Sequence, residues 1–268
     1  MTENYSTGPA VEPSDVRELI ATLSAIPEAI QRSHALAERL RALDDDAILE
    51  AIRIIYEKTL TGDQDFLRLY NGLIVSGTLA QVLGSERMSR LVHLVQEARD
   101  FEIVSVFLDL PSEQPSGSGF RSSVGPDLRD IPLGVRKALA RKPDFRSIER
   151  LARDPDPRVI RNLLKNPKLT ERLVIGIAAT RPGNADVMEE IYNHPKWIAR
   201  YDVKKTLVMN PHTPLSIALK LLVFMKLPDL EEILEVPNLP ELVKSEARKI
   251  IHRKTACQLE NPGDRRAD

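Results

Sequence analysis

Asp154-Pro155-Asp156-Pro157-Arg158-Val159-Ile160-Arg161-Asn162-Leu163-Leu164-Lys165-Asn166-Pro167 decides the fold, because it sets a short apolar stripe between two polar-Pro pairs. Proline has no backbone N–H and pushes the residue before it out of the α region, so a helix tends to end just before it. The same punctuation returns at Arg181-Pro182, His194-Pro195 and Asn210-Pro211. Prolines at 143, 155, 167, 182, 195, 211 and 228 stand 12, 12, 15, 13, 16 and 17 residues apart, room for one short helix and one turn each time. Between them apolar residues keep helical spacing: Val159, Ile160, Leu163 and Leu164; then Leu173, Val174, Ile177 and Ala178; then Leu215, Ala218, Leu219 and Leu222. A helix this short cannot bury its stripe alone, so the spacing predicts helices stacked in series.

Residues 154–167, and the later Asn210-Pro-His-Thr-Pro-Leu-Ser-Ile-Ala-Leu-Lys-Leu-Leu222, resemble the leucine-rich repeat variant, a bacterial repeat related in style to HEAT repeats. The likeness covers about residues 141–226, a third of the chain. It implies alternating α and 3₁₀ helices stacked into a right-handed superhelix that serves as an interaction scaffold. The first two proline steps sum to 24, as that family expects, whereas later pairs sum to 28 and 33. A general HEAT-like solenoid therefore describes the later repeats equally well. Some members of the family hold an N-terminal iron–sulfur cluster on cysteines; here Cys257 is the only cysteine, so no cluster or other cofactor is expected.

Outward from the repeats, the chain divides. Residues 1–12 read as disordered. Ser14 is a candidate N-cap for a helix through Val16, Leu19, Ile20 and Leu23. Pro27 fits the first turn of a helix through Ile30, Leu36, Leu40 and Leu43. Asp44, Asp45 and Asp46 put negative charge where the next helix begins, followed by the stripe Ile48, Ile52, Ile55, Tyr56 and Leu60 and closed by Gly62. Apolar segments at 66–74, 78–83, 85–98 and 101–110 complete an all-helical N-terminal module over 13–110. Residues 111–127, rich in Ser, Gly and Pro, read as a flexible linker. The repeat domain is expected over 128–254, with a last helix from Leu242 to Ile251, and 255–268 as a disordered tail.

Composition limits the function. The chain has 268 residues, 42% apolar and only 4% aromatic, which suits an aliphatic helical core and argues against a stacking surface for single strands. One cysteine excludes an internal disulfide framework. The start lacks a secretory signal, and the longest apolar run, Leu221 to Met225, is too short to cross a bilayer; a cytoplasmic protein without membrane insertion is the expectation. A net charge of −1 hides an asymmetry: residues 1–120 carry 10 basic and 19 acidic side chains, residues 121–268 carry 28 and 20. That split fits either attraction between the halves or a basic half that meets an acidic partner.

No sequence constellation points to catalysis. The histidines 34, 93, 194, 212 and 252 stand at no metal-ligand spacing; His194 and His212, beside prolines, are expected to cap a helix end or face water. Phosphate-binding loops and nucleophile elbows have no match. Carboxylates at Asp44–Asp46, Asp154/Asp156, Glu189/Glu190 and Glu231/Glu232 sit where helix starts and solvated faces are expected. Two sets remain as candidate partner-binding residues. Trp197, Arg200, Tyr201 and Lys204 share a helical neighbourhood that could grip a partner, with packing between repeats as the first expectation. Arg136, Arg141, Arg150, Arg158 and Arg161 lie in residues 129–165, where 11 basic residues face 5 acidic ones. They could touch phosphates or simply form a solvated face.

The sequence thus predicts an all-α protein, an N-terminal helical module followed by a short α-solenoid, acting without catalysis as a scaffold or adaptor for a protein partner. Sequence-independent nucleic-acid binding through the basic face of 129–165 is the alternative. A helical-repeat DNA glycosylase comes third, for want of a poised carboxylate in an aromatic cleft.

Overall fold

In the computed structural model, described for residues 22–23, 26, 28–74, 77–98, 103, 106–107 and 131–260, every regular element is an α-helix; no strand occurs among the described residues. The chain forms two compact units: residues 1–108 with 252–268, and residues 109–251. The readings for residues 1–12, Ser14, Pro27 and the linker 111–127 fall outside the described residues.

The first unit contains α1 (Ala29–Arg41), α2 (Asp45–Leu60), α3 (Gln64–Ile74), α4 (Thr78–Leu83) and α5 (Ser85–Glu97). Its apolar stripes converge: Leu36 and Leu40 of α1, Ile48, Ile52 and Ile55 of α2, Leu69 and Tyr70 of α3 and Leu91 of α5 are all buried. Helix α1 packs on α3 and α4, and α2 packs on α3 and α5. Close approach of α1 and α3 depends on Gly72, whose carbonyl accepts from Ser33 Oγ at 2.9 Å. A Cβ there would stand 3.3 Å from that oxygen. Asp44 caps α2 by accepting from the Ala47 N–H at 2.8 Å, as its acidic run predicts. The turn before it is gripped by Arg87 of α5, which pairs with Asp45 at 2.6 Å and donates to the carbonyls of Arg41 and Leu43.

The second unit begins with α6 (Leu133–Arg141), α7 (Phe145–Leu151), α8 (Pro157–Leu164), α9 (Glu171–Ala178) and α10 (Ala185–Tyr192). It continues through α11 (Pro195–Ile198), α12 (Tyr201–Val208), α13 (Leu215–Leu222) and α14 (Leu227–Glu235) into the first part of α15 (Glu241–Glu260), which it holds as far as Ile251. Helix α8 packs against the alternate helices α6 and α10, α9 packs against α12, and α12 against the next helix, α13. In α8 the predicted stripe of Val159, Ile160, Leu163 and Leu164 is buried, while Arg158 and Arg161 stay exposed. Full burial of each such side chain contributes about 1.5–3 kcal/mol, which a two-turn helix obtains only from its neighbours.

Two differences from the sequence reading stand out. All described helices are α, so no 3₁₀ helix of the kind the resemblance implies occurs among the described residues. The last helix also continues to Glu260, through residues 255–260 that were expected to be tail. Its apolar stripe fades after Ile251, but residues 252–260 contain no Gly or Pro to stop it.

Candidate functional site

Two of the polar-Pro pairs turn out to be joints. Asn166 Nδ2 donates to the carbonyls of Ala140 and Lys142, each at 2.8 Å, while its Oδ1 accepts from the Lys168 N–H at 3.0 Å. Asn210 repeats the pattern 44 residues on: Nδ2 donates to Ala178 and Thr180 at 2.7 and 3.1 Å, and Oδ1 accepts from His212 N–H at 3.0 Å. The last carbonyls of a helix have no partner within it. In each case an asparagine from a later turn satisfies them and holds its own turn closed. Asn184 extends the scheme, donating to the Pro155 carbonyl at 2.9 Å and accepting from Asp186 N–H at 2.9 Å. Sequence reasoning read these prolines as stops; it missed the amides beside them as ties between helices.

Trp197 belongs to this framework. It is buried, 2% exposed, and its indole N–H donates to the Leu164 carbonyl at 2.8 Å. Its ring packs between turns, as the first expectation had it. Lys196 Nζ lies 4.1 Å from the ring centroid. Arg200 is exposed and stands 3.7 Å from Glu171.

Tyr201 and Lys204 point into different surroundings. The Tyr201 hydroxyl donates to Asp229 and accepts from Lys226 N–H at 3.0 Å; burial and the Asp229 carboxylate push its pKa up to about 12. Lys205 Nζ completes the cluster at 2.6 Å from both Asp229 and Glu232, and their carboxylates raise its pKa. Burial opposes ionisation of Asp229, yet the hydrogen bonds from Lys205 and Tyr201 prevail and hold its pKa below the ordinary value. Lys204, by contrast, is only 8% exposed. Its ammonium lies 3.9 Å from the centre of the Phe224 ring, and burial lowers its pKa to about 8.

Of the candidate arginines of 129–165, Arg136, Arg141, Arg158 and Arg161 have partners within the chain. Arg136 pairs at 2.5 Å with Asp154, whose side chain is fully buried. Arg158 forms a forked pair with Asp156, at 3.0 and 2.8 Å, that lowers the carboxyl's pKa. Arg161 reaches Glu190 on α10, 2.8 Å from Nε to a carboxylate oxygen. Arg141 donates to Asn162 Oδ1 at 2.8 Å. Arg150 is exposed on α7. A guanidinium already held in a carboxylate fork has less charge to offer a phosphate.

A different set of cations is left open. Lys142, Lys165, Lys168 and Lys196 are exposed, and none pairs with a carboxylate among the described residues. Lys142 follows the C-terminal end of α6, Lys165 and Lys168 follow that of α8, and Lys196 stands in α11, the helix after α10. The bonds from Asn166 to Lys142 and from Trp197 to Leu164 place these ends beside one another. His194 lies between Lys165 and Lys196: burial first, and then both cations, depress its pKa. Neither His194 nor His212 caps a helix through Nδ1, which in both rings is buried without a hydrogen-bond partner. The prolines beside them fix the backbone, and the rings fill space instead.

Among the described residues no cluster of His, Cys, Asp or Glu could hold a metal ion, and no helix is long and apolar enough to cross a membrane. No family model, curated protein or solved structure matches the chain.

Proposed function

We propose that the second unit is a short α-solenoid, HEAT-like with features of the leucine-rich repeat variant, and that the protein acts without catalysis as a scaffold or adaptor for another protein. The observation that carries this reading is the repeated joint. Asn166 and Asn210 do the same work 44 residues apart, each tying a later turn to the carbonyls ending an earlier helix. Such joints hold a series of two-turn helices in register, and a series of this kind presents broad surface. The pairing of Arg136, Arg158 and Arg161 with nearby carboxylates weighs against a phosphate face made of those arginines.

The test is affinity capture with the full chain, followed by reassociation of purified bait and captured protein. A fixed-stoichiometry complex that survives nuclease treatment is the expected result. Capture that vanishes with nuclease, or a purified pair that fails to reassociate, overturns the scaffold reading.

A further inference from the structure

We propose that the edge bearing Lys142, Lys165, Lys168 and Lys196 is a docking site for the phosphate backbone of a nucleic-acid duplex, a function beyond protein scaffolding and on residues other than the arginines of 129–165. These four side chains are exposed and free of carboxylate partners among the described residues. Lys142, Lys165 and Lys168 stand in the turns after α6 and α8 and Lys196 stands in α11, and the Asn166 and Trp197 hydrogen bonds link these places. Packed helices stand about 8–10 Å apart, the spacing expected from the end of α6 to that of α8 and from α8 to α10. Phosphates on one strand of a duplex advance about 3.4 Å per base, so one cation meets about every third phosphate.

The partner follows from what surrounds the line. Lysine is a mobile point charge, suited to a repeating anion and not to one fixed carboxylate geometry. Lysine is depleted in protein–protein interfaces, whereas the one exposed large apolar side chain next to these lysines in sequence is Phe145, three residues after Lys142. Single strands require several rings on which successive bases stack; Trp197 is buried, and Phe145 is a single exposed ring. A duplex backbone needs neither. Asp144, two residues after Lys142, has its carboxylate occupied in capping Ser147 at the start of α7, and Glu171, three residues after Lys168, stands 3.7 Å from Arg200.

The experiment measures binding of the full chain to a mixed-sequence duplex of about 20 base pairs across a salt series. Two charge-matched variants are compared: Lys142, Lys165, Lys168 and Lys196 all changed to Ala, and Arg39, Arg41, Lys58 and Arg68 of the first unit all changed to Ala. Each phosphate contact contributes about −0.9 to the slope of log K against log salt, so the first variant should lose about 3.6 of slope and at least tenfold in affinity at low salt. The second variant should bind within about twofold of the unaltered chain. Circular dichroism establishes that both variants are folded. Equal loss in the two variants, no loss in the first, or tighter binding of a polyglutamate peptide than of the duplex overturns the proposal.

Discussion

Asn166 shows how much one amide can determine. Two carbonyls and one N–H depend on its side chain, and the residue is only 2% exposed. Leaving a buried polar group without a partner costs about 1–3 kcal/mol. Asn166→Ala and Asn210→Ala should therefore each destabilise by about 2–3 kcal/mol in urea unfolding. The double variant should be additive within about 0.5 kcal/mol, since the two residues tie different helices. Lys204 is the opposite case, a cation whose burial works against the fold. Its pKa is about 8 in the folded chain against 10.5 as the ordinary value, so between these pH values the unfolded chain binds more protons. Stability from this group must then rise as pH climbs from about 8 to 10.5, by roughly 3 kcal/mol in all. Lys204→Met should be more stable than the unaltered chain at pH 7, with the difference shrinking toward pH 10 in parallel urea titrations.

At the level of elements, short helices are held by their ends as much as by their faces. Asp156 and Asn184 cap α8 and α10, each accepting from the N–H two residues on. Between α12 and α14 the clamp is polar: Tyr201 and Lys205 on one helix, Asp229 and Glu232 on the other. Tyr201→Phe removes one donor to Asp229 and the acceptor for Lys226 N–H, and should cost about 1–2 kcal/mol. Asp229 gives the clamp its pH dependence. Its folded pKa is depressed, so its contribution is present above the ordinary carboxylate pKa and is lost as pH falls through the lower folded value. Asp229→Asn should accordingly unfold more easily than the unaltered chain at pH 6, and the two should converge in acid, as read by thermal melts from pH 6 to pH 2.

For the whole molecule the division into two units has a direct optical consequence. Trp197 is the only tryptophan and lies in the second unit, while helices of both units contribute to far-UV circular dichroism. Chains with more than one unit commonly depart from a single cooperative transition. The tryptophan emission should report one transition in urea, with the ellipticity spread over a wider range. Superimposable curves would mean that the two units unfold together.

The sequence by itself determined what depends on local chemistry. Proline spacing set the helix lengths, stripes such as Val159, Ile160, Leu163 and Leu164 named the buried faces, and Asp44 announced a cap that the structure contains. It also favoured packing for Trp197, because a lone ring at helical spacing has apolar neighbours within reach. Only the tertiary structure decided which distant groups meet. Asn166 reaches Lys142 across 24 residues and Arg161 reaches Glu190 across 29, and no local rule selects such partners. Those meetings paired Arg136, Arg158 and Arg161 with carboxylates and left Lys142, Lys165, Lys168 and Lys196 without one among the described residues. Charge can be counted along a chain, but whether it is spent or available depends on what folding brings beside it.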